Sequence, residues 1–270
     1  MTAASTQERK LLLDLFDKSI LKQAKHRAIT ELLPDTKGKR CLDVGADNGV
    51  ISYLLRQRGG EWFSADLNDE VVESIKRMVG ENVFLLDGKR TPFTDGFFDT
   101  IVIIDALEHL HGDTAFIGEL SRIMVPGGTL IVNVPHHKPF SLIRGLRLAV
   151  GLTDEKHGHV RPGYTLQSLR STLAPHFLIE QQNTYSRFFV ELFDVAVSLF
   201  FDLTKRPDAG KQESSKGNVV TAEDMQRHAK KFKLFSILYP FVWVLAQLDR
   251  LLFFTSGHSL IVRARRVQQT

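Results

Sequence analysis

Short apolar runs recur along the chain, each bounded by Gly, Asp or Pro, and segments of helical length lie between most of them. Runs of this kind are typical of strands that are buried on both faces of a parallel sheet. The alternation predicts an α/β fold with a doubly wound, mostly parallel seven-stranded sheet. The predicted strands are residues 41–44, 62–65, 83–86, 100–104, 129–134, 177–184 and 259–265.

Composition and charge narrow the class of protein. The chain has 270 residues, 43% hydrophobic and 24% charged, which is typical of a globular protein and excludes a disordered or collagen-like chain. The net charge of +4 is too small for the dense basic surface of a nucleic-acid binder, so we predict no nucleic-acid partner. The single cysteine, Cys41, can form no internal disulfide, and the polar N-terminus lacks a secretory signal. These features favour a cytoplasmic protein.

The pattern predicts four parts along the chain. They are an N-terminal helical segment (1–38), a ligand-binding core (39–186), an apolar helical insertion (187–257) and a last strand with a basic tail (258–270). The N-terminal segment is predicted to hold one helix over about 7–33, which Pro34 ends. The core helices are predicted over 49–58, 70–79, 114–124 and 166–174.

A glycine-bearing turn follows the first predicted strand. Gly45 and Gly49 flank this turn, where glycine lets the backbone approach a ligand closely and the next helix offers free N–H groups. The dinucleotide fingerprint G-x-G-x-x-G is not matched, because Asp47 stands at the second glycine position. Asp43 and Asp47 would also repel a pyrophosphate. The turn therefore suits a ligand that is neutral or positive near these carboxylates.

Acidic residues end three successive predicted strands. Asp43 lies near the end of the first strand, Asp66 follows the second strand, and Asp87-Gly88 follows the third. An acid at position 66 can accept hydrogen bonds from ribose hydroxyls, although an isolated one could equally cap the following helix. Parallel strands bind ligands at their carboxyl edge, so the series indicates a nucleoside-binding site there.

In its motifs the sequence resembles the class I S-adenosylmethionine-dependent methyltransferases, particularly the group that includes the ubiquinone and menaquinone biosynthesis methyltransferases. The resemblance covers about residues 39–185. The matching segments, in order, are 42–45 with Gly49, Asp66, Asp87, 91–99, 105–110 and 120–130. A departure from the family pattern is Asp47-Asn48, where small residues are commoner.

The resemblance implies a Rossmann-like methyltransferase fold with S-adenosylmethionine as the cofactor. The residues it places at the cofactor are Asp43, Gly45, Asp47, Gly49, Asp66, Leu67, Asp87, Gly88 and Asp105. The family also places acceptor-binding residues in the loops after the fourth and fifth strands.

Several histidines fall in those loops. Methyl transfer from a sulfonium needs a base only where the acceptor must lose a proton, and imidazole suits that role near neutral pH. The candidates for catalysis are His109, His157 and His159, with His136-His137 as further histidines nearby. No metal site is predicted, because the histidine spacing fits no firm zinc pattern.

The insertion contains two Phe- and Leu-rich runs, 187–205 and 234–254. Polar residues in the first run form one narrow stripe, and charges interrupt both runs, so they predict amphipathic helices rather than transmembrane spans. These helices could pack on the sheet, or form an apolar lid or a platform on an anionic membrane. Residues expected at a lipid-facing surface are Phe188, Phe189, Leu192, Phe193, Phe200, Phe201, Phe241, Trp243, Leu245, Phe253 and Phe254, with Lys230, Lys231 and Lys233 beside them.

The sequence thus favours an S-adenosylmethionine-dependent methyltransferase that acts at oxygen on a small or lipid-linked acceptor. It predicts a cytoplasmic protein that can attach to the inner face of a membrane. The sequence does not distinguish a monomer from a homodimer. One alternative is a non-catalytic binding or scaffold protein with the same fold. Another is a nicotinamide dehydrogenase, which the missing third glycine disfavours.

Overall fold

Seven strands form one sheet in the computed structural model, which describes residues 3–139, 141–151, 158–204, 239–240, 243–244 and 246–267. The strands are β1 Arg40–Val44, β2 Glu61–Asp66, β3 Val83–Leu85, β4 Phe98–Ile104, β5 Met124–Pro135, β6 Phe177–Tyr185 and β7 Ser259–Arg266. Each predicted strand is present to within a few residues.

Eight helices belong to the described part of the chain. They are α1 Ala3–Phe16, α2 Ile20–Leu32, α3 Val50–Arg56, α4 Asp69–Val79, α5 Asp113–Ile123, α6 Leu142–Ala149, α7 Leu166–Leu173 and α8 Phe188–Thr204. Short 3₁₀ turns cover Leu107–His109 and Leu248–Arg250.

The strand order across the sheet is β3-β2-β1-β4-β5-β7-β6. Strands β1 to β5 are parallel, whereas β7 is antiparallel to both β5 and β6, so the predicted mostly parallel sheet is a mixed one. Strand order reverses at β1, which lies between β2 and β4. Ligands bind beside the carboxyl ends of the strands at such a reversal, and the Gly45 turn lies there.

Helices cover both faces of the sheet, and β4 shows how each face is filled. Ile101 and Ile103 pack in a core beneath α5 and α7, while Val102 and Ile104 pack in a second core beneath α2 and α3. All four side chains are almost fully buried, as alternate residues of a central strand should be.

The single helix predicted over 7–33 is wrong, because the chain forms two helices there. Helix α1 ends at Phe16, and α2 begins after Ser19, whose hydroxyl accepts a hydrogen bond from the Lys22 N–H at 3.3 Å. Such an N-cap satisfies one of the free N–H groups of a helix start and favours a new helix at that point. The break allows α2 to lie over the carboxyl edge of the sheet.

Helix α8 lies between β6 and β7, where the first apolar run was predicted. The side chains of Phe200 and Phe201, and the residues Phe241, Leu245, Lys230, Lys231 and Lys233, lie outside what the structure describes. The four-part division of the chain therefore stays a prediction. Among the described residues, no helix is long and apolar enough to span a membrane.

Candidate functional site

A cleft of about 410 Å³ opens at the carboxyl edge of the sheet, below α2 and beside α6. The predicted cofactor residues that line it are Gly45, Asp47, Asp66, Leu67 and Asp105. The others, Asp43, Gly49, Asp87 and Gly88, are not part of its lining. The predicted catalytic residues His109 and His159 line the same cleft, and His157 lies outside the described residues.

The Gly45 turn is fixed by close backbone packing. Gly45 has φ +87°, and a Cβ added there would lie 2.3 Å from the carbonyl oxygen of Ile104 on β4. Its N–H donates to the Ala65 carbonyl at 3.0 Å, which ties the turn to β2. Glycine is needed here both for the left-handed backbone and for contact with β4.

Gly49 lies where the start of α3 packs closely against α4. It has φ +80°, and an added Cβ would lie 2.9 Å from both Ile75 Cα and Met78 Cβ on α4. The glycine therefore allows the start of α3 to pack against α4, and it supports the turn without lining the cleft.

Asp43 is buried behind the turn. Its carboxylate accepts hydrogen bonds from Ser52 Oγ at 2.6 Å and Ser64 Oγ at 2.8 Å, and the Arg56 guanidinium lies 3.6 Å away. Burial raises the pKa of the Asp43 carboxyl, an effect that Arg56 and the hydroxyls oppose. Asp43 thus holds the end of β1 in place beneath the turn, and its role at the cofactor stays a prediction.

Asp66 and Leu67 lie at the end of β2 and face the cleft. Asp66 is only 6% exposed, and its carboxylate accepts a hydrogen bond from the Asn68 N–H at 2.9 Å. The sequence also allowed Asp66 to act as the N-cap of the next helix. In the structure Asn68 is that N-cap, and its side chain accepts hydrogen bonds from N–H groups in the first turn of α4. Asp66 is therefore a positioned acceptor at the cleft wall.

Asp87 and Gly88 form an exposed turn after β3. The Asp87 carboxylate accepts hydrogen bonds from the N–H groups of Lys89 at 2.8 Å and Arg90 at 3.0 Å, and these bonds lower the pKa of Asp87. An added Cβ at Gly88 would lie 2.8 Å from Leu110 Cδ2. Turn geometry thus accounts for both residues in this structure.

Two lysines on α2 face the acidic side of the cleft, and sequence analysis missed them. Lys22 Nζ lies 2.9 Å from the Asp47 carboxylate, and Lys25 forms a hydrogen-bonded ion pair with Asp105. Burial opposes the charge on Lys25, but the carboxylates outweigh it and raise the pKa of this amine. Asn133 Nδ2 also donates to Asp105 at 2.8 Å. The spacing of 22 and 25 indicates one helix face, but nothing in it identifies the opposing acids.

His109 and His159 come together although 50 residues separate them in the chain. Their ring centroids are 4.9 Å apart, and His109 Nδ1 lies 2.9 Å from the Gly158 carbonyl oxygen. Glu108, fully buried, lies beside them and also lines the cleft. The pairing places both imidazoles at one wall, next to the ends of β4 and β5.

Two further histidines line the cleft beyond β5. His136 Nδ1 lies 2.9 Å from the Gly257 carbonyl oxygen, and burial lowers the pKa of His136. Burial also lowers the pKa of His258 to about 4, with Lys138 and Arg147 adding to the shift. A neutral His258 can accept or donate hydrogen bonds near neutral pH. No motif in the sequence indicates His258 as a residue of the cleft.

Comparison with known proteins agrees with this architecture. Residues 42–132 match the family model described as a methyltransferase domain. A demethylmenaquinone methyltransferase from Beutenbergia cavernae is 33% identical over 131 residues, 47% of this chain and 55% of that protein. A ubiquinone biosynthesis O-methyltransferase from Xanthomonas oryzae pv. oryzae is 30% identical over 112 residues, 39% of this chain and 46% of that protein. The matches thus span about half the length of these relatives.

A solved structure extends the likeness in fold beyond the matched segment. The crystal structure of an S-adenosylmethionine-dependent methyltransferase from Mesorhizobium loti has a TM-score of 0.54 at 16% identity, covering 90% of this chain and 98% of that one. The seven-stranded sheet with its covering helices thus has the Rossmann-like fold of that structure. Residues 42–132 are similar in sequence to a methyltransferase domain, and the two relatives reported above are quinone biosynthesis methyltransferases.

Proposed function

We propose that this protein transfers a methyl group from S-adenosylmethionine to an oxygen atom of a small or lipid-linked acceptor. The observation that carries the proposal is one continuous cleft with two chemically different walls. The first wall holds Asp47, Asp66 and Asp105, and the second holds His109 and His159. Donor and acceptor bound in such a cleft would be held next to each other.

The acidic wall fits the donor. S-adenosylmethionine supplies a methyl group on a positively charged sulfur, together with a ribose and an amino-acid group. Asp66 is placed to accept hydrogen bonds from ribose hydroxyls. The Lys25–Asp105 pair presents a positive and a negative charge side by side. The ammonium of the donor's amino-acid group could bind Asp105, and its carboxylate could bind Lys25. Asp47 is paired with Lys22 and Asp105 with Lys25, so two of the three carboxylates of this wall have a lysine partner on α2.

The histidine wall fits an acceptor that carries a hydroxyl. His109 and His159 can bind the hydroxyl and accept its proton, which prepares the oxygen to receive the methyl group. The ubiquinone biosynthesis O-methyltransferase related to this chain supports oxygen as the methylated atom. Helix α2 borders the cleft through Leu21, Lys22 and Lys25.

Donor binding is the first test of this function. We expect calorimetry to show saturable binding of S-adenosylmethionine and S-adenosylhomocysteine to the purified chain, because the acidic wall complements both. Binding of neither at millimolar concentration would reject the proposal. Donor binding with no methyl transfer to hydroxylated quinone precursors would favour the alternative, a non-catalytic binding protein.

We further propose that a lipid-linked acceptor enters beside an apolar surface made by α6 and residues 251–254. Leu142 is 81% exposed, and Phe253 and Phe254 are 78% and 73% exposed. Ile143 on α6 packs against Val195 on α8, and Asp249 accepts from backbone N–H groups at the start of α8. Helix α8 thus contacts both α6 and the segment that precedes residues 251–254. Helix α6 also forms part of the cleft wall.

Vesicle co-sedimentation tests this surface. We expect the wild-type chain to pellet with anionic vesicles, and the pelleted fraction to fall several-fold in Phe253→Asp with Phe254→Asp, because charges cannot enter the lipid interface cheaply. Leu178→Asp is the matched control, since Leu178 is 63% exposed on the edge strand β6. Equal loss in both variants, or wild-type protein that stays in the supernatant, would contradict membrane attachment.

A further inference from the structure

Three basic side chains line the part of the cleft that the segment after β5 and helix α6 form. These residues, Lys138, Arg144 and Arg147, are here called the basic end of the cleft. Arg144 and Arg147 are three residues apart on α6, so they lie on one face of the helix, and that face borders the cleft. All three side chains are partly exposed, so a ligand in the cleft can reach them. The basic end thus differs in charge from the acidic wall.

Carboxylates near the basic end balance only part of its charge. Glu191 and Asp194 on α8 both pair with Arg147, at 3.5 and 2.5 Å. Lys138 forms no ion pair with a carboxylate in the described part of the chain, and its amine donates to the Ser256 carbonyl at 2.7 Å. Lys138 therefore brings a positive charge to the cleft with no described carboxylate in direct contact.

The effect of this charge is seen at His258, which lines the same part of the cleft. Burial, followed by the charges of Lys138 and Arg147, lowers the pKa of His258 to about 4. The two charges disfavour a cation at this position and favour an anion, because like charges repel and opposite charges attract. The surroundings of His258 thus agree with the charge of the three basic side chains.

The basic end adjoins the apolar surface made by α6 and residues 251–254. Leu142, 81% exposed, belongs to the same helix as the two arginines. The hydrogen bond from Lys138 to the Ser256 carbonyl joins the segment after β5 to the residues that follow 251–254. A ligand that occupies the basic end can therefore extend an apolar chain over this surface.

From this arrangement we propose that Lys138, Arg144 and Arg147 bind a phosphate group of the acceptor. A guanidinium can donate two parallel hydrogen bonds to phosphate oxygens, and a lysine adds a compact positive charge. Phosphate oxygens point in several directions, so side chains from α6 and from the segment before it can contact one phosphate together. This inference rests on the proposed function and gives its acceptor a class, a lipid-like molecule with a hydroxyl, a phosphate and an apolar chain.

Phenyl phosphate is the probe for this site, and phenol is its uncharged counterpart. We expect calorimetry on the full chain to show saturable binding of phenyl phosphate but not of phenol. Lys138→Gln and Arg144→Gln should each weaken phenyl phosphate binding by about tenfold or more, because each loses a hydrogen bond between charged groups. Arg147 is kept, since its loss would leave the buried Glu191 and its neighbour Asp194 without this cation.

Lys37→Gln is the matched control, because it removes the same charge from an exposed position before β1, at the opposite edge of the sheet. Phenyl phosphate binding that falls in Lys138→Gln and Arg144→Gln but is kept in Lys37→Gln supports the site. Absence of saturable binding, or equal affinity in all the variants, overturns it.

Two further ligands show whether the phosphate belongs to a lipid-like acceptor. Dihexanoyl phosphatidic acid, used below its micelle concentration, should bind more tightly than glycerol 3-phosphate, because its chains can bury apolar area on the surface beside α6. Equal affinity for the two would overturn the lipid-like class and assign the site to a small phosphate compound.

The affinity for S-adenosylhomocysteine separates this inference from the proposed function. We expect it to be unchanged in Lys138→Gln and Arg144→Gln, because the donor binds at the acidic wall. If the donor binds to the wild-type chain and no phosphate compound does, only the phosphate site fails. Weaker donor binding in the two variants would place the carboxylate of the donor at the basic end and overturn its assignment to the acceptor.

Discussion

Gly45→Ala should destabilise the fold by about 3–5 kcal/mol, which combines left-handed backbone strain with a steric overlap. The added Cβ would lie 2.3 Å from a backbone carbonyl oxygen on β4, and backbone cannot move aside as a flexible side chain can. Because β1 and β4 are central neighbours in the sheet, the overlap cannot be relieved without separating them. Urea unfolding followed by circular dichroism measures the change in the free energy of unfolding.

Gly127→Ala is the control for the strain alone. Gly127 has φ +75°, but no atom lies within 4 Å of a Cβ added there. We expect this variant to lose only about 1–2 kcal/mol, the usual cost of a left-handed non-glycine residue. Equal losses in the two variants would show that the contact with β4 contributes nothing and that backbone strain explains both.

Asp66→Ala should weaken S-adenosylhomocysteine binding by about 10- to 100-fold, equivalent to about 1.5–3 kcal/mol for hydrogen bonds to a charged acceptor. The side chain is buried at the end of β2 and held by the Asn68 N–H, so its orientation exists before the ligand binds. Calorimetric titration of both proteins with the same ligand gives the ratio of dissociation constants.

Asp69→Ala removes the same charge from an exposed position in the first turn of α4. Its donor affinity should stay within about twofold of wild type, because exposed charges at this distance are screened by salt. Similar weakening in both variants would assign the Asp66 effect to net charge instead of to a direct contact.

The sequence by itself determined the sheet. Apolar runs bounded by Gly, Asp or Pro located the central strands such as β1 and β4, because a strand buried on both faces must be apolar along its whole length. The ordered motifs also lie mostly within residues 42–132, the segment that matches the methyltransferase domain model. The position of Asp66 was also predictable, since the end of a strand fixes which residue reaches the carboxyl edge.

Features that depend on which hydrogen-bond partner a group takes were predicted less well. Periodicity alone could not show that α1 and α2 are separate helices, because the break depends on the Ser19 cap. Similarly, the sequence did not indicate the protein partners of Asp43 and Asp87: serine hydroxyls donate to the Asp43 carboxylate, and backbone N–H groups donate to the Asp87 carboxylate. A carboxylate in a motif can bind a ligand, or it can accept hydrogen bonds that stabilise the local backbone. The residue type alone does not show which of the two it does.

Only the tertiary structure decided which distant side chains share the cleft. Lys25 meets Asp105 across 80 residues, and His159 meets Glu108 and His109 across about 50. Such pairings depend on where α2 and the 158–164 segment come to rest on the sheet, and packing and hydrogen bonds throughout the fold set those positions. Sequence spacing predicts which side chains are neighbours on one helix or strand. It does not predict contacts between separate elements, because only folding brings those together.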